Sequence, residues 1–327
     1  MTKQLIAITV LLTLLSCVKE DPVAAGILVP KTVDQDPSLP SLIINGTHLH
    51  VETYGQADDP ILLMIHGGPG GDYRSMLEAK AFAADGFFVL FYDQRGTGLS
   101  KREDKAQFGD NGIQLFVEDL DALIDHVRRA DSQKVFLFGH SWGAMLATAY
   151  LNQFPEKIAG AILAEPGGLS WTQTKEYLSR SNRINIFSEA LNDAIFTEQI
   201  FAGRSEHEIL DYKAAYFATF ENANGNTLGN AGPYPFWRNG AVSFDAMIDA
   251  AERVGFDFRT NLSAYSPTVL FMYSELNEAY GREWAQTVSA PFFDVKLVEV
   301  ADSGHEMLYF GWTNLYPEAL TYLTQLK

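Results

Sequence analysis

The sequence predicts an α/β fold: a mostly parallel central sheet with helices on both faces and an inserted, mainly helical lid. Short apolar runs such as "PILLMIHGGPGG" and "GFFVLFYDQRGTG" end in glycine-rich turns, which is typical of strands buried on both faces. Helical segments such as "FVEDLDALIDHVRRAD" alternate with these runs and place their apolar residues on one stripe. Alternation of this kind indicates parallel strands joined by helices. The rhythm breaks at about residues 168–262, where the chain is aromatic, polar and helix-prone.

The order of these patterns divides the chain into five parts. Residues 1–16 resemble the signal peptide of a bacterial lipoprotein, because one lysine and a short apolar run precede Leu-Leu-Ser and Cys17. Cys17 is the only cysteine, and we predict that it is lipidated; an ordinary signal peptide with an incidental cysteine is the alternative. Proline-rich residues 17–40 are predicted to be a tether. We expect the core at 41–167 and 263–327, with the lid at 168–262.

The composition excludes some partners. The 327 residues carry a formal net charge of −17, which argues against binding to nucleic acid, because a phosphate binder needs clustered lysine and arginine. The sequence has no His-x-x-x-His zinc pattern and no phosphate-binding loop, so we expect no metal and no organic cofactor. The expected partners are a peptide or a small ester or amide as substrate, and a membrane through lipidated Cys17. The predicted location is the bacterial cell envelope, outside the cytoplasm.

The stretch "KVFLFGHSWGAML" places Ser141 in a G-x-S-x-G motif between an apolar strand and an apolar helix. This context predicts a nucleophile elbow, a sharp turn that presents a serine oxygen at the end of a sheet. Such a serine needs a general base, which in this chain order follows the last strand. "VEVADSGHEM" supplies His305 at that place. His140 lies inside the elbow and is badly placed to take a proton from its neighbour.

Three motifs together resemble the proline iminopeptidase branch of the α/β hydrolases: "HGGPGG" at 66–71, "YDQRGTGLS" at 92–100 and "GHSWG" at 139–143. The resemblance covers about residues 42–327, more loosely in the lid. It implies that the backbone N–H groups of Gly68 and Trp142 form an oxyanion hole. It also implies that His66, Asp93 and Arg95 support the turns and take no part in the chemistry.

The third member of the triad departs from the family pattern. The family usually carries an aspartate after the seventh strand, where this chain has Asn277. Glu165 closes the sixth strand, a place where some related dehalogenases carry their acid, and it is our first candidate. Glu278 and Glu275 are the alternatives, followed by Asn277 or no acid. Glu165 could instead hold a substrate amine.

The resemblance implies an aminopeptidase that releases N-terminal proline or another small residue through an acyl-enzyme. Such an enzyme needs an acid for the free amine, and in this family the lid supplies it. "ATFENANGN" resembles the lid segment concerned and offers Glu221, but a second lid glutamate is not identified. An esterase, lactonase or amide hydrolase for small uncharged substrates is the main alternative. Another acyl-transfer reaction and a non-catalytic binding lipoprotein are further alternatives.

Overall fold

The computed structural model describes residues 28–181, 206–218, 227–233, 235 and 237–327. The predicted signal peptide with Cys17, and the predicted amine-binding Glu221, lie outside these residues. In the part of the chain that is described, no helix combines the length and the apolar character needed to cross a bilayer.

Eight strands form one sheet in the order β1-β2-β4-β3-β5-β6-β7-β8. β1 and β2 are joined by a turn at Asn45-Gly46 and pair antiparallel, and β2 pairs antiparallel with β4. All pairs from β4 to β8 are parallel, so the predicted mostly parallel sheet is confirmed. The strands are β1 (Ser41–Ile44), β2 (Thr47–Tyr54), β3 (Ile61–Ile65), β4 (Phe88–Tyr92), β5 (Val135–His140), β6 (Gly160–Ala164), β7 (Val269–Ser274) and β8 (Val295–Val300).

The helices that the structure describes follow the strands as predicted. They are α1 (Gly112–Val127), α2 (Trp142–Gln153), α3 (Trp171–Arg180), α4 (Glu206–Ala218), α5 (Ala241–Val254), α6 (Gly281–Ser289), α7 (Met307–Phe310) and α8 (Trp312–Leu326). Short 3₁₀ segments cover Tyr73–Asp85, Lys105–Gln107 and Leu262–Ala264. α3, α4 and α5 lie between β6 and β7, within the segment predicted to be the lid.

The central strands contribute side chains to two apolar cores, one on each face of the sheet. In β5, Val135 and Leu137 belong to one core, and Phe136 and Phe138 belong to the other. Successive strand residues point to opposite faces, so a strand buried on both faces must be apolar at every position. This explains the continuous apolar runs in the sequence. Because the central strands are parallel, their carboxyl ends also lie at the same edge of the sheet.

The tether predicted at 17–40 is corrected at residues 29–33, which pack against the domain. Val29, Thr32 and Val33 are buried, and the Val33 N–H donates to the Leu99 carbonyl at 2.8 Å. The Pro30 carbonyl also accepts a hydrogen bond from Arg238, which lies in the segment predicted to be the lid. Proline and polar residues dominate this segment, but its few valines pack into the domain.

A buried ion-pair cluster joins the described part of the segment predicted to be the lid to the core. Asp211 of α4 accepts hydrogen bonds from the Nε atoms of Arg102 at 2.8 Å and Arg238 at 3.0 Å. Its other oxygen accepts the Ala241 N–H at the start of α5, at 3.2 Å. One carboxylate therefore connects α4, α5 and the turn after β4, beside the carboxyl ends of the strands.

Candidate active site

Ser141 lies between the end of β5 and the start of α2, with φ 54° and ψ −120°. Its N–H donates to the Ala164 carbonyl at the end of β6, at 2.8 Å. A Cβ atom on Gly139 would collide with the Gly143 carbonyl, and one on Gly143 would collide with the Ile65 carbonyl. Both glycines of the motif are therefore required by backbone atoms that pass too close for a side chain, and the strand–turn–helix geometry matches the predicted elbow.

Glu165 follows β6 directly, has φ 47° and is fully buried. Its Oε2 lies 2.6 Å from Nδ1 of His305 and accepts a hydrogen bond from Asn277 Nδ2 at 2.9 Å. Its Oε1 accepts the Ser274 N–H at 2.7 Å and the Ser274 hydroxyl at 2.5 Å. Every described partner other than the imidazole is placed as a donor, so the surroundings match an ionised carboxylate, which only accepts.

The ionisation of Glu165 follows from a balance of two effects. Burial raises the pKa of this carboxyl, but the hydrogen bond and charge attraction of His305 and the two bonds from Ser274 lower it by more. The net result is a pKa below its ordinary value of 4.5. An ionised carboxylate requires Nδ1 of His305 to carry the proton, which leaves the lone pair on Nε2.

The other sequence candidates for the acid occupy different environments. Glu275 is exposed and accepts the Asp302 N–H at 2.9 Å. Glu278 is also exposed, and no hydrogen bond among the described residues joins either glutamate to His305. Asn277, at the position where the family usually has aspartate, is buried and donates to Glu165.

The backbone of His305 is held from both sides. Its N–H donates to the Leu228 carbonyl at 2.8 Å, and its carbonyl accepts a hydrogen bond from Nε2 of His140 at 2.8 Å. Burial lowers the pKa of His140, so this second imidazole is neutral, with its proton on Nε2. His140 therefore fixes the loop that carries His305.

Gly68 and Trp142 flank Ser141 and line one cavity with it. Gly68 has φ 128°, and a Cβ atom there would meet the backbone nitrogens of Gly70 and Gly71, so only glycine fits. Trp142 is the first residue of α2, where a backbone N–H has no acceptor within the helix. The two N–H groups are thus candidates to bind an oxyanion.

The residues expected to support the turns are engaged in doing so. His66 is fully buried, and Asp93 accepts the Leu99 N–H at 2.7 Å. Arg95 donates to both carboxylate oxygens of Asp119, at 2.8 and 2.7 Å. These contacts hold the turn after β4 beside the glycine-rich loop.

Two cavities meet at Ser141 and Gly68. The first, of about 160 Å³, has a mostly apolar wall that includes Trp237, with Asp72, His305 and Glu306 among its polar groups. The second, of about 70 Å³, is also largely apolar, and its wall includes Ile113, Met145, Trp171, Met247 and Phe256. Together they offer space on two sides of the serine.

Sequence reasoning missed Ser274 and Glu306, and it named Asn277 only as a candidate for the acid position. Ser274 and Asn277 were not recognised as donors to Glu165, because only the fold brings β6 and β7 side by side. Glu306 was overlooked although a charged residue directly follows His305. It is 5% exposed and lines the first cavity. A glutamate inside the apolar surroundings of "GHEMLYF" was the available signal.

Comparison with known proteins agrees with this architecture. A family model described as the alpha/beta hydrolase fold matches residues 60–311. A proline iminopeptidase of Thermoplasma volcanium is 35% identical over 128 residues, which are 39% of this chain and 41% of that protein. A proline iminopeptidase of Arabidopsis thaliana is 31% identical over 124 residues, 38% of this chain and 31% of that protein. The matches thus span about a third to two-fifths of these relatives.

Solved structures show the same fold. The enol-lactonase from Burkholderia xenovorans LB400 superimposes with a TM-score of 0.60 at 16% identity, over 87% of this chain and 100% of that one. At this identity the likeness concerns the fold alone. Because the family model spans most of the sequence and the sheet has the matching topology, the chain belongs to the α/β-hydrolase fold family and is similar to proline iminopeptidases.

Proposed function

We propose that the protein is a serine hydrolase that acts through an acyl-enzyme. The observation that carries the proposal is the 2.6 Å contact between Glu165 and Nδ1 of His305, with His305 lining the same cavity as Ser141. A nucleophile, an orienting acid and a base, here Ser141, Glu165 and His305 in chain order, form a catalytic triad. Glu165 is therefore our choice for the triad acid.

Each group has a defined role in the reaction. His305 Nε2 takes the proton of Ser141 as its oxygen attacks the substrate carbonyl, and then donates it to the leaving group. Glu165 keeps the proton on Nδ1 and offsets the charge of the imidazolium. The N–H groups of Gly68 and Trp142 bind the oxyanion. A water molecule deprotonated by His305 then releases the acid product.

The proposed substrate is a peptide with an N-terminal proline or another small residue. Similarity to proline iminopeptidases supports this choice, and so does a first cavity of about 160 Å³, which suits a small residue. Glu221 remains a hypothesis for binding the free amine, because it lies outside the described residues.

A small ester or lactone is the second candidate substrate. The apolar wall of the second cavity favours it, because Ile113, Met247 and Phe256 offer no partner for a charged group. The enol-lactonase with the same fold is consistent with it. The reaction would use the same triad and oxyanion hole.

Three substrates separate these candidates when given to the protein that starts after Cys17. They are a prolyl arylamide, the same arylamide with its amine acetylated, and a short p-nitrophenyl ester. An aminopeptidase cleaves the first compound and loses activity on acetylation. Cleavage of the ester without cleavage of the free-amine arylamide contradicts the aminopeptidase and supports the esterase.

We also propose that the full-length protein is anchored to a membrane of a bacterial cell envelope through acyl chains on Cys17. The support is the lipoprotein-like sequence of residues 1–17. Full-length protein should sediment with membranes, and Cys17→Ala should not yield a lipidated product. Equal membrane association of the variant would contradict lipid anchoring at this residue.

A further inference from the structure

We propose that Arg238 is a positioning residue that holds one wall of the first cavity and the glycine-rich loop, with residues 29–35 as its anchor. We call residues 29–35 the N-terminal strap. The inference rests on the proposed function and adds the support on which the active site depends. Arg238 is 1% exposed and lies on the wall of neither described cavity, so it acts through its neighbours and not on the substrate.

The N-terminal strap packs against the domain that carries Ser141. Val29, Thr32 and Val33 are buried in it. The Val33 N–H donates to the Leu99 carbonyl at 2.8 Å, in the turn after β4. Within the strap, the N–H that follows residue 34 donates to the Thr32 carbonyl at 2.9 Å. These contacts fix the positions of the acceptor groups that the strap presents to the rest of the protein.

The strap supplies acceptors to the Arg238 guanidinium group. Nη1 donates to the Pro30 carbonyl and to Gln35 Oε1, the latter at 3.3 Å. Nε donates to Asp211 at 3.0 Å, but Asp211 also accepts from Arg102 and so serves two guanidinium groups. A buried guanidinium group whose donors lose their acceptors is strongly destabilised. Removal of the strap would therefore drive Arg238 out of its present position.

The neighbours of Arg238 in the chain form one wall of the first cavity. Trp237 and Asn239, on either side of it, both line this cavity. Gly240 and Ala241 follow and line it as well. A displacement of Arg238 would therefore move a continuous stretch of the wall that faces Ser141 across the cavity opening or shift it along the cavity.

The same stretch of chain holds the glycine-rich loop. The Gly240 N–H donates to the Gly70 carbonyl at 2.7 Å. The fit is tight on both sides, since a Cβ atom on Gly70 would lie 2.8 Å from the Gly240 carbonyl oxygen, and one on Gly240 would lie 2.2 Å from that of Gly96. Gly68, a proposed donor to the oxyanion, lies in the same loop. Arg238 is thus connected to the oxyanion hole through one short run of backbone.

Displacement of this loop should slow the chemical step. Loss of one oxyanion donor typically lowers kcat by about 10²–10³-fold, and a shifted donor costs part of that. For the short p-nitrophenyl ester we expect Arg238→Gln to lower kcat by about 10-fold or more. The rate is counted per serine that a fluorophosphonate labels when the reaction is taken to completion. A loss of stability alone would reduce the number of labelled sites and leave kcat per site unchanged.

Arg253→Gln is the matched control, because Arg253 lies on α5 with an exposed side chain that pairs with exposed Asp110. It should keep the kcat of wild type. An equal loss of kcat per labelled site in both arginine variants, or no loss in Arg238→Gln, would overturn the inference.

A protein that starts at Ser38 tests the dependence on the strap. We expect this truncation to lower kcat per labelled site about as much as Arg238→Gln does. In the Arg238→Gln protein the truncation should cost less than about threefold more, because changes that break the same contact are not additive. In Arg253→Gln it should have its full effect. Additive losses for truncation and Arg238→Gln would contradict the coupling and overturn the inference.

Hydrogen exchange measured by mass spectrometry gives a readout that needs no turnover. In Arg238→Gln, peptides that cover residues 66–72 and 237–244 should exchange at least about 10-fold faster than in wild type, and β7 should be unchanged. Gln35→Ala removes one acceptor at an exposed position and gives the same comparison, with a smaller increase, if Arg238→Gln does not fold. Unchanged exchange in these two segments would overturn the inference.

The measurements separate the inference from the proposed function. Faster exchange in the two segments, in a protein that a fluorophosphonate does not label and that cleaves no substrate, would support the strap and contradict the serine hydrolase. Labelling and ester cleavage that are equal in wild type, Arg238→Gln and the truncated protein would support the hydrolase and overturn the inference.

Discussion

Oε2 of Glu165 lies 2.6 Å from Nδ1 of His305, although 140 residues separate them along the chain. The contact exists because β6 ends beside β7, and the loop after β8 folds back over that edge of the sheet. The proposed acid thus follows β6, the strand before the predicted lid segment. Asn277, which follows β7, supports the acid by donating a hydrogen bond.

Replacing Glu165 should lower kcat far more than replacing the exposed Glu278. Glu165→Gln places an amide NH₂ among the donors from Ser274, Asn277 and His305 and removes the charge that offsets the imidazolium. We expect kcat to fall by about 10²–10⁴-fold. Glu278→Gln, which changes an exposed side chain, is the control and should retain nearly full kcat. Steady-state kinetics with the ester check this, and the reverse pattern would contradict our assignment.

The choice between Glu165 and Glu278 shows which parts of the site can be predicted from the sequence alone. The motif around Ser141 and the position of His305 after the last strand are local patterns, and both can be read directly. The position of Glu165 at a strand end made it a candidate, but its partners Ser274 and Asn277 are distant in sequence. Only strand order and register bring the three together, so the alternatives could not be resolved without the fold.

A second-site change should restore part of the activity that Glu165→Gln removes. Asn277 Nδ2 bonds the same carboxylate oxygen that faces His305, so Asn277→Asp places a carboxylate near Nδ1. We expect the double variant Glu165→Gln/Asn277→Asp to have a kcat at least about 10-fold above that of Glu165→Gln, given how much an orienting carboxylate contributes to a triad. Asn277→Asp alone should destabilise the protein, because two buried carboxylates would be neighbours. A double variant that is no more active than Glu165→Gln would argue against an orienting role for the carboxylate.

The hydroxyl group of Ser141 should be essential for turnover, and the backbone conformation at this position should lower the stability of the protein. Its φ of 54° is a strained conformation for any residue with a Cβ atom. Both Ser141→Ala and Ser141→Gly should abolish turnover, but only glycine relieves the strain. We expect Ser141→Gly to be more stable than Ser141→Ala by about 1 kcal/mol, after the entropy cost of glycine. Chemical denaturation measures the difference, and equal stability of the two variants would show that the backbone is not strained there.

The lowered pKa of Glu165 predicts a pH-dependent contribution to stability. Its folded-state pKa lies below the ordinary 4.5, so the unfolded chain binds more protons between the two values. The contribution is therefore present above about pH 4.5 and is lost as the pH falls through the folded-state value. The free energy of unfolding of wild type should exceed that of Glu165→Gln at pH 6, and the gap should narrow towards pH 3. A gap that is independent of pH would contradict the lowered pKa.

The remaining differences between sequence and structure have physical causes. Residues 29–33 looked like a tether because they lie in a proline-rich segment with little periodicity, yet Val29 and Val33 are buried against the core. Glu306 was given no role from the sequence, because its neighbour His305 was assigned as the general base. In both cases burial decides the role, and burial depends on contacts with chain segments far away in sequence.

The most direct test of the account is the rate at which a fluorophosphonate labels Ser141, followed by mass spectrometry of the modified peptide. Such reagents need an activated serine but no particular substrate, so the result does not depend on the choice between peptide and ester. We predict rapid labelling of wild type at Ser141 alone, and labelling at least about 100-fold slower in Glu165→Gln. Folded wild-type protein that is not labelled at Ser141, or labelling that is equally fast in Glu165→Gln, would contradict the proposed triad.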